Sequence, residues 1–234
     1  MNAPVLAVND LSIRIAGRPI IRNASFVLES KASLALIGPN GSGKTLLLKA
    51  LMGLFPYSGS VHWKTGTRLG YVPQNPAADP HLPLRVRELL RAKAGVQHLA
   101  ASDIEAAVRW TGIDDLFDQR LGTLSSGQLQ RVLIAFALAG VPNVLLIDEP
   151  TSSLDELAEQ RFFELITKTR LEFGTTVVLV SHDLTLVRDF ATHVLCLGGG
   201  IASFGTAKEM LLPEILERVY HTPVQFHSHG LERT

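Results

Sequence analysis

The sequence predicts an α/β fold. A parallel sheet is wound with helices, with a small antiparallel sheet near its start and a helical insert in its middle. Three observations carry this. Ser33–Ile37, Val144–Ile147 and Thr175–Val180 are short apolar runs of strand length, suited to strands covered on both faces. From Val144 onwards such strands alternate with helical stretches, the pattern of a parallel sheet wound with helices. From Leu84 to about Ala139 the character is helical instead.

The chain has 234 residues, enough for one large domain, or a domain with a subdomain, around a well-buried core. Hydrophobic residues make up 46% and the mean hydropathy is +0.21, high enough to point to a partner surface. The 22 basic and 22 acidic residues cancel, so no net field draws the chain to nucleic acid or anionic lipid. The one cysteine, Cys196, excludes an internal disulfide framework and suits a reducing compartment. Met1 to Asp10 lacks a basic region followed by an apolar run, so no secretory signal is expected. The most apolar stretch, Val132 to Ile147, is interrupted by Pro142 and Asn143, leaving pieces short of the roughly 20 residues a spanning helix needs. A buried helix feeding a buried strand is the expectation there.

In chain order, Val5 to Ile15 reads as a strand, Gly17-Arg-Pro19 as a turn, and Ile20 to Leu28 as a second strand. Together they make the small antiparallel sheet. Ser33–Ile37 follows as a buried strand, and Leu46 to Leu54 as a helix. Gly70 to Gln74 is a short strand that Pro73 ends, and the three prolines of Asn75 to Pro83 make a loop. Ser102-Asp-Ile-Glu105 reads as a capping box opening a helix that Gly112 closes. No internal repeat or low-complexity segment is present.

Between the strand at Ser33–Ile37 and the helix from Leu46 lies Gly38-Pro39-Asn40-Gly41-Ser42-Gly43-Lys44-Thr45, which fits G-x-x-x-x-G-K-[ST]. Glycines let the backbone curl so that its N–H groups turn inward around a phosphate. Lys44 would set its ammonium on the β and γ phosphates, and the Thr45 hydroxyl would ligate Mg²⁺. The following helix offers its N-terminus to the same anion. This is read as a nucleotide site.

A second element, Val144 to Pro150, delivers Asp148 and Glu149 at the end of a strand, where α/β sheets place their ligands. After a phosphate loop, Asp148 would hold Mg²⁺ and Glu149 would orient and deprotonate a water. His182, after Thr175–Val180, could contact the γ phosphate. At the end of its own strand, Gln74 could reach Mg²⁺ or the water. On its own, each also reads as an ordinary polar strand end.

What joins them is Leu124-Ser125-Ser126-Gly127-Gln128. Here the chain resembles the ATP-binding cassette family, whose signature is Leu-Ser-Gly-Gly-Gln. The resemblance runs from about Leu11 to Leu212 and takes in the phosphate loop, Gln74, Leu124 to Gln128, Asp148-Glu149, Ser153-Leu-Asp155 and His182 in order. It implies a P-loop NTPase (RecA-like) core with core residues 1–75 and 140–220, a helical subdomain at 76–139 and a tail at 221–234. It implies ATP and Mg²⁺ as cofactors, Glu149, His182 and Gln74 as catalytic residues, and Mg²⁺ held by Thr45, Asp148 and Gln74. It also implies a head-to-tail dimer in which Leu124 to Gln128 meets the partner's ATP and Asp155 lies in a dimer loop. Two departures stand out. Ser126 replaces a glycine, and Ile15 stands where the family usually stacks an aromatic on adenine.

One cassette with no membrane segment resembles the energy subunit of a transporter with a separate permease. Gln130 to Ile134, Phe162 to Leu165, Ser181 to Thr185 and Val194 to Leu197 resemble the importers of zinc or manganese. The partners implied are a second copy, integral-membrane permease subunits and, indirectly, a substrate-binding protein, with no nucleic acid. The place implied is peripheral, at the cytoplasmic face of the inner membrane. An ATPase for another cargo and a non-transport cassette protein remain open. The tail's His221, His227 and His229 form a candidate metal-sensing cluster.

Overall fold

The computed structural model describes residues 4–74, 79, 81–150 and 156–220, with 156–158 as backbone. Asp155, Ser153, most of the 75–83 loop, and the tail with His221, His227 and His229 lie outside the described residues. The first elements are β1 (Pro4–Ile15), β2 (Arg18–Glu29), β3 (Ser33–Ile37), α1 (Lys44–Leu51), β4 (Ser58–Trp63) and β5 (Leu69–Val72). Helices α2 (Val86–Gln97), α3 (Ala101–Thr111) and α4 (Ser126–Leu138) precede β6 (Val144–Asp148), α5 (Glu156–Phe173) and β7 (Thr176–Val180). The chain continues as α6 (Leu184–Phe190), β8 (His193–Gly198), β9 (Ile201–Thr206), α7 (Ala207–Met210) and α8 (Pro213–Tyr220). The fold is mixed α/β, as the apolar strand runs imply. It divides into two compact units, Met1–Thr65 with Val178–Thr234, and Gly66–Val177.

In the first unit the strand order is β4-β1-β2-β9-β8-β3. Strands β1, β2 and β4 are antiparallel, and β1 and β2 bury Leu6, Val8, Leu11, Ile13, Ile21, Ala24 and Leu28 while Arg22 and Asn23 face out. That alternation reads directly from sequence. The turn differs from expectation. Ala16 (φ 47) and Gly17 (φ 78) form it, and Arg18 already pairs with Ile15. A two-residue loop with both φ values positive matches the strands' right-handed twist, so Arg18 and Pro19 join β2.

Parallel pairing sets Leu34 to Ile37 against His193 to Cys196. The Ser33 hydroxyl donates to the Phe190 carbonyl at 2.8 Å and accepts from the Thr192 N–H at 3.0 Å, which fixes the register where β3 begins. The expected alternation of parallel strands and helices breaks at the end. Strands β8 and β9 form an antiparallel hairpin through Gly199 (φ 60) and Gly200 (φ 80), a turn that two adjacent glycines make without strain. Cys196 is free and buried, and burial pushes its thiol up to about 12.

The second unit pairs β5 with β6 in parallel, Leu69 to Val72 against Val144 to Ile147. Helices α2, α3 and α4 pack round Val86, Leu90, Ile104, Ala107, Ile113, Leu116, Val132 and Ala135. Gly112 closes α3 in the left-handed conformation (φ 59), as expected. Its opening lies two residues earlier than the Ser102 expectation. The Ala100 N–H donates to the Asp103 carboxylate at 2.9 Å, and Glu105 instead approaches Arg109 at 3.8 Å, one turn on. Asp103 shortens the choice, because its carboxylate reaches back to the first free N–H on the chain. No helix among the described residues is long and apolar enough to cross a membrane.

Lys93 of α2 is buried, with its ammonium donating to the carbonyls of Phe136 and Ala137 near the end of α4 and lying 4.8 Å over the Phe136 ring. It therefore ties two helices at carbonyls that α4 itself leaves open. Burial pulls its pKa down from 10.5 to about 8. Between those values the unfolded chain holds a proton that the folded chain has lost, so this group's contribution grows as pH rises. Urea denaturation should show wild type gaining stability relative to Lys93→Met from pH 8 to 10.5. Parallel pH profiles would mean that the ammonium is not disfavoured where it sits.

Candidate nucleotide-binding site

In the first unit, β3 ends at Ile37 and the chain turns at once into the glycine loop. Gly38 (φ 146), Gly41 (φ 79) and Gly43 (φ 99) all have positive φ, which glycine alone adopts freely. Space decides as much as torsion. A Cβ on Gly38 would sit 2.0 Å from the Leu197 carbonyl oxygen, and one on Gly43 would sit 2.8 Å from Ile20 Cγ2. The loop is thus pressed onto β8 at its start and onto β2 at its end. Pro39 and Asn40 form the bend between.

Lys44 opens α1 and is 6% exposed. Its ammonium donates to the carbonyls of Gly38 at 2.8 Å and Pro39 at 3.2 Å, folding back over the loop it belongs to. Gly43 caps α1 without a side chain, so no side-chain oxygen competes for the N–H groups of that first turn, where Thr45 is half-buried. The Ser42 hydroxyl is buried and has no hydrogen-bond partner among the described residues. A buried hydroxyl without a partner is costly, and a phosphate oxygen would satisfy it. Glycine cradle, helix N-terminus, caged cation and orphaned hydroxyl fit the phosphates of a nucleotide.

Ile15 ends β1 beside the hairpin turn, 44% exposed, with Arg18 as its cross-strand neighbour. His182 follows β7 and is exposed. The turn carrying it is held on its far side. The Ser181 hydroxyl accepts from the Asp183 N–H at 3.0 Å, and the Asp183 carboxylate caps α6 through Thr185 at 2.8 Å and Leu186 at 3.1 Å.

In the second unit, all five residues of β6 are buried, and Asp148 at its end is 1% exposed. Glu149 follows with φ 41, a left-handed conformation that costs a non-glycine residue about 1–3 kcal/mol and gathers at working sites. Strand β5 supplies partners to both acids. The Gln74 amide donates to Glu149 Oε2 at 2.6 Å, and the Tyr71 phenol bonds to the Asp148 carboxylate. Register explains the second contact. Tyr71 lies opposite Leu146, and Asp148 is two residues further on the same face of β6. Burial first, then the Asp148 charge and that hydrogen bond, push Tyr71 up to about 12. Sequence puts Gln74 and Glu149 each at the end of its own strand and gives no sign of Tyr71, because that bond depends on β5 pairing with β6.

The signature lies in the same unit. Leu124 precedes Ser125, the N-cap of α4, whose hydroxyl accepts from the Gln128 N–H at 3.2 Å while Gln128 Oε1 accepts from the Ser125 N–H at 2.9 Å. This reciprocal cap fixes the helix entry. Ser126 and Gly127 form its first turn, with Ser126 exposed. The added hydroxyl therefore meets no protein crowding.

A family model described as ABC transporter matches residues 21–152. A zinc import ATP-binding protein, ZnuC, of Ruegeria pomeroyi is 41% identical over 88% of this chain and 80% of that protein. The ZnuC of a Jannaschia species is 38% identical over 86% of this chain and 82% of that protein. Among solved structures, an ATP-binding subunit of an ABC transporter superposes with a TM-score of 0.79 at 25% identity, covering 88% of this chain and 91% of that one.

The Tyr71 contact gives a direct test. A hydrogen bond to a charged group contributes about 1.5–3 kcal/mol, so Tyr71→Phe should lower the unfolding free energy by that amount at neutral pH, read by urea denaturation. A change below about 0.5 kcal/mol would mean that Asp148 rests on its other partners.

Proposed function

This chain belongs to the ABC transporter family, as an ATP-binding and ATP-hydrolysing subunit, and from that premise we propose that it powers a zinc importer. The identity with zinc import ATP-binding proteins over most of the chain supports the cargo. The Gln74–Glu149 contact carries the chemistry, because it brings a metal- or water-seeking amide to the carboxylate assigned as base. We read the chain as one ATPase domain, with core residues 1–75 and 140–220, a helical subdomain at 76–139 and a tail at 221–234.

The residues divide the work. The loop from Gly38 to Thr45 binds the triphosphate through backbone N–H groups, and Lys44 turns its ammonium from the Gly38 and Pro39 carbonyls to the β and γ phosphates. Mg²⁺ held by Thr45, Asp148 and Gln74 would neutralise charge developing on the γ phosphate. Tyr71 keeps the Asp148 carboxylate in one orientation. Glu149 exchanges the Gln74 amide for the attacking water, orients it and takes its proton. His182 steadies the γ phosphate. Ile15 covers the base without a π face, so base selection is looser than phosphate binding.

The Ser125 to Gln128 turn serves the ATP of a second copy. Its capped helix start offers an anion site, and Asp155 belongs to the dimer loop. The other partners are integral-membrane permease subunits and, through them, a substrate-binding protein. The subunit is peripheral, on the cytoplasmic face of the membrane.

Glu149→Gln should bind ATP with nearly wild-type affinity and lose about 10²- to 10⁴-fold in hydrolysis, the range for a general base. Near-normal turnover would remove Glu149 from that role. For the cargo, proteoliposomes holding its permease subunits should take up zinc with ATP and wild-type subunit, and fail with the Glu149→Gln form. Uptake of a different cargo in place of zinc would overturn the zinc assignment.

A further inference from the structure

We propose that Tyr220 is a positioning residue for the phosphate loop, and that through it the C-terminal helix sets the affinity for ATP. The Gly38 N–H donates to the Tyr220 hydroxyl at 3.1 Å. Gly38 is buried, so its N–H has no route to water, and a buried donor without a partner is costly. The carbonyl of the same residue accepts from Lys44 at 2.8 Å. Gly38 is therefore gripped on one side by α8 and on the other by the cation that must meet the phosphates.

The rest of α8 is built to hold that grip. Leu216 and Val219 are buried with Ala35, Ile37 and Cys196, directly beneath the strand that feeds the loop. Gly198 lets the helix approach, since a Cβ there would lie 2.7 Å from the Val219 carbonyl oxygen. Burial pushes the Tyr220 phenol up, more than its hydrogen bond with Gly38 pulls it down. The hydroxyl oxygen accepts from the Gly38 N–H whether or not it carries its own proton, so the contact does not hinge on the phenol's titration. A phenylalanine would keep the ring's packing and remove only the acceptor. Gly38 would then lose the bond that fixes its φ at 146, and the cradle behind it would open into several conformations, of which one fits a triphosphate.

This inference rests on reading residues 38–45 as the ATP loop, and its test separates the two. ATP affinity, kcat, KM and Tm would be measured for wild type, Tyr220→Phe and Val219→Ala. Val219→Ala loosens α8 against its neighbours and leaves the Gly38 bond in place. Tyr220→Phe should raise the ATP Kd and KM about three- to tenfold with kcat within twofold, the scale of one hydrogen bond. Val219→Ala should lower Tm with Kd unchanged. If both variants lose affinity in proportion to the Tm they lose, the effect is on folding and the proposal falls. Unchanged affinity in Tyr220→Phe overturns it as well. A wild type that does not bind ATP would overturn the loop assignment itself.

Discussion

The approach of one backbone to another at the end of β3 is the constraint on which the glycine loop depends. A Cβ on Gly38 would lie 2.0 Å from the Leu197 carbonyl oxygen, so only glycine lets the chain leave the strand where it does. The parallel pairing of Ala35 to Ile37 with Val194 to Cys196 makes that departure point rigid, because these residues are buried and paired strand to strand. A phosphate cradle needs this rigidity. Backbone N–H groups act as an anion site only when they converge beforehand, and ordering a loose loop around each ligand would cost about 1–2 kcal/mol per residue. Lys44, folded onto the carbonyls of Gly38 and Pro39, completes a loop whose shape is set before any phosphate arrives.

The acidic half follows a different logic. Asp148 is buried almost completely, and a buried carboxylate must have partners. Strand β5 brings Tyr71 to Asp148 and Gln74 to Glu149, one residue pair for each acid. The two bonds differ in their surroundings. The Tyr71 phenol, pushed up to about 12, cannot lose its proton at physiological pH and serves as a fixed donor. The Gln74 amide is exposed, on the last described residue before the proline-rich loop. Glu149, in a strained left-handed conformation, stands beside this exposed partner. Asp148 is held by a half-buried phenol and Glu149 by an exposed amide.

The signature turn owes its form to capping. Ser125 and Gln128 satisfy each other's N–H groups, and this fixes the direction in which α4 begins. The unusual Ser126 occupies an exposed position in that first turn, where a hydroxyl displaces nothing. The cap, and not the residue at position 126, defines the turn.

How much of this was legible in the sequence depends on the range of the interactions. Strands β3, β6 and β7 and the phosphate loop are fixed by local chemistry: uniform apolar runs, glycines with positive φ, a lysine at the head of a helix. Asp148, Glu149 and Gln74 were placed at strand ends for the same reason. Local signals misjudged the start of α3, where Asp103 rather than Glu105 reaches back to the N-cap N–H, and the parallel pattern near the end, where Gly199 and Gly200 turn β9 back on β8. The partners were invisible. That Tyr71 meets Asp148 and Tyr220 meets Gly38 depends on which strands lie side by side and which helix closes beneath them, contacts between residues far apart in the chain. Residue types declare the chemistry they can perform, because that is a property of side chain and local backbone. Only the packed fold decides which group is held by which, because hydrogen bonds between distant residues are chosen by burial and register.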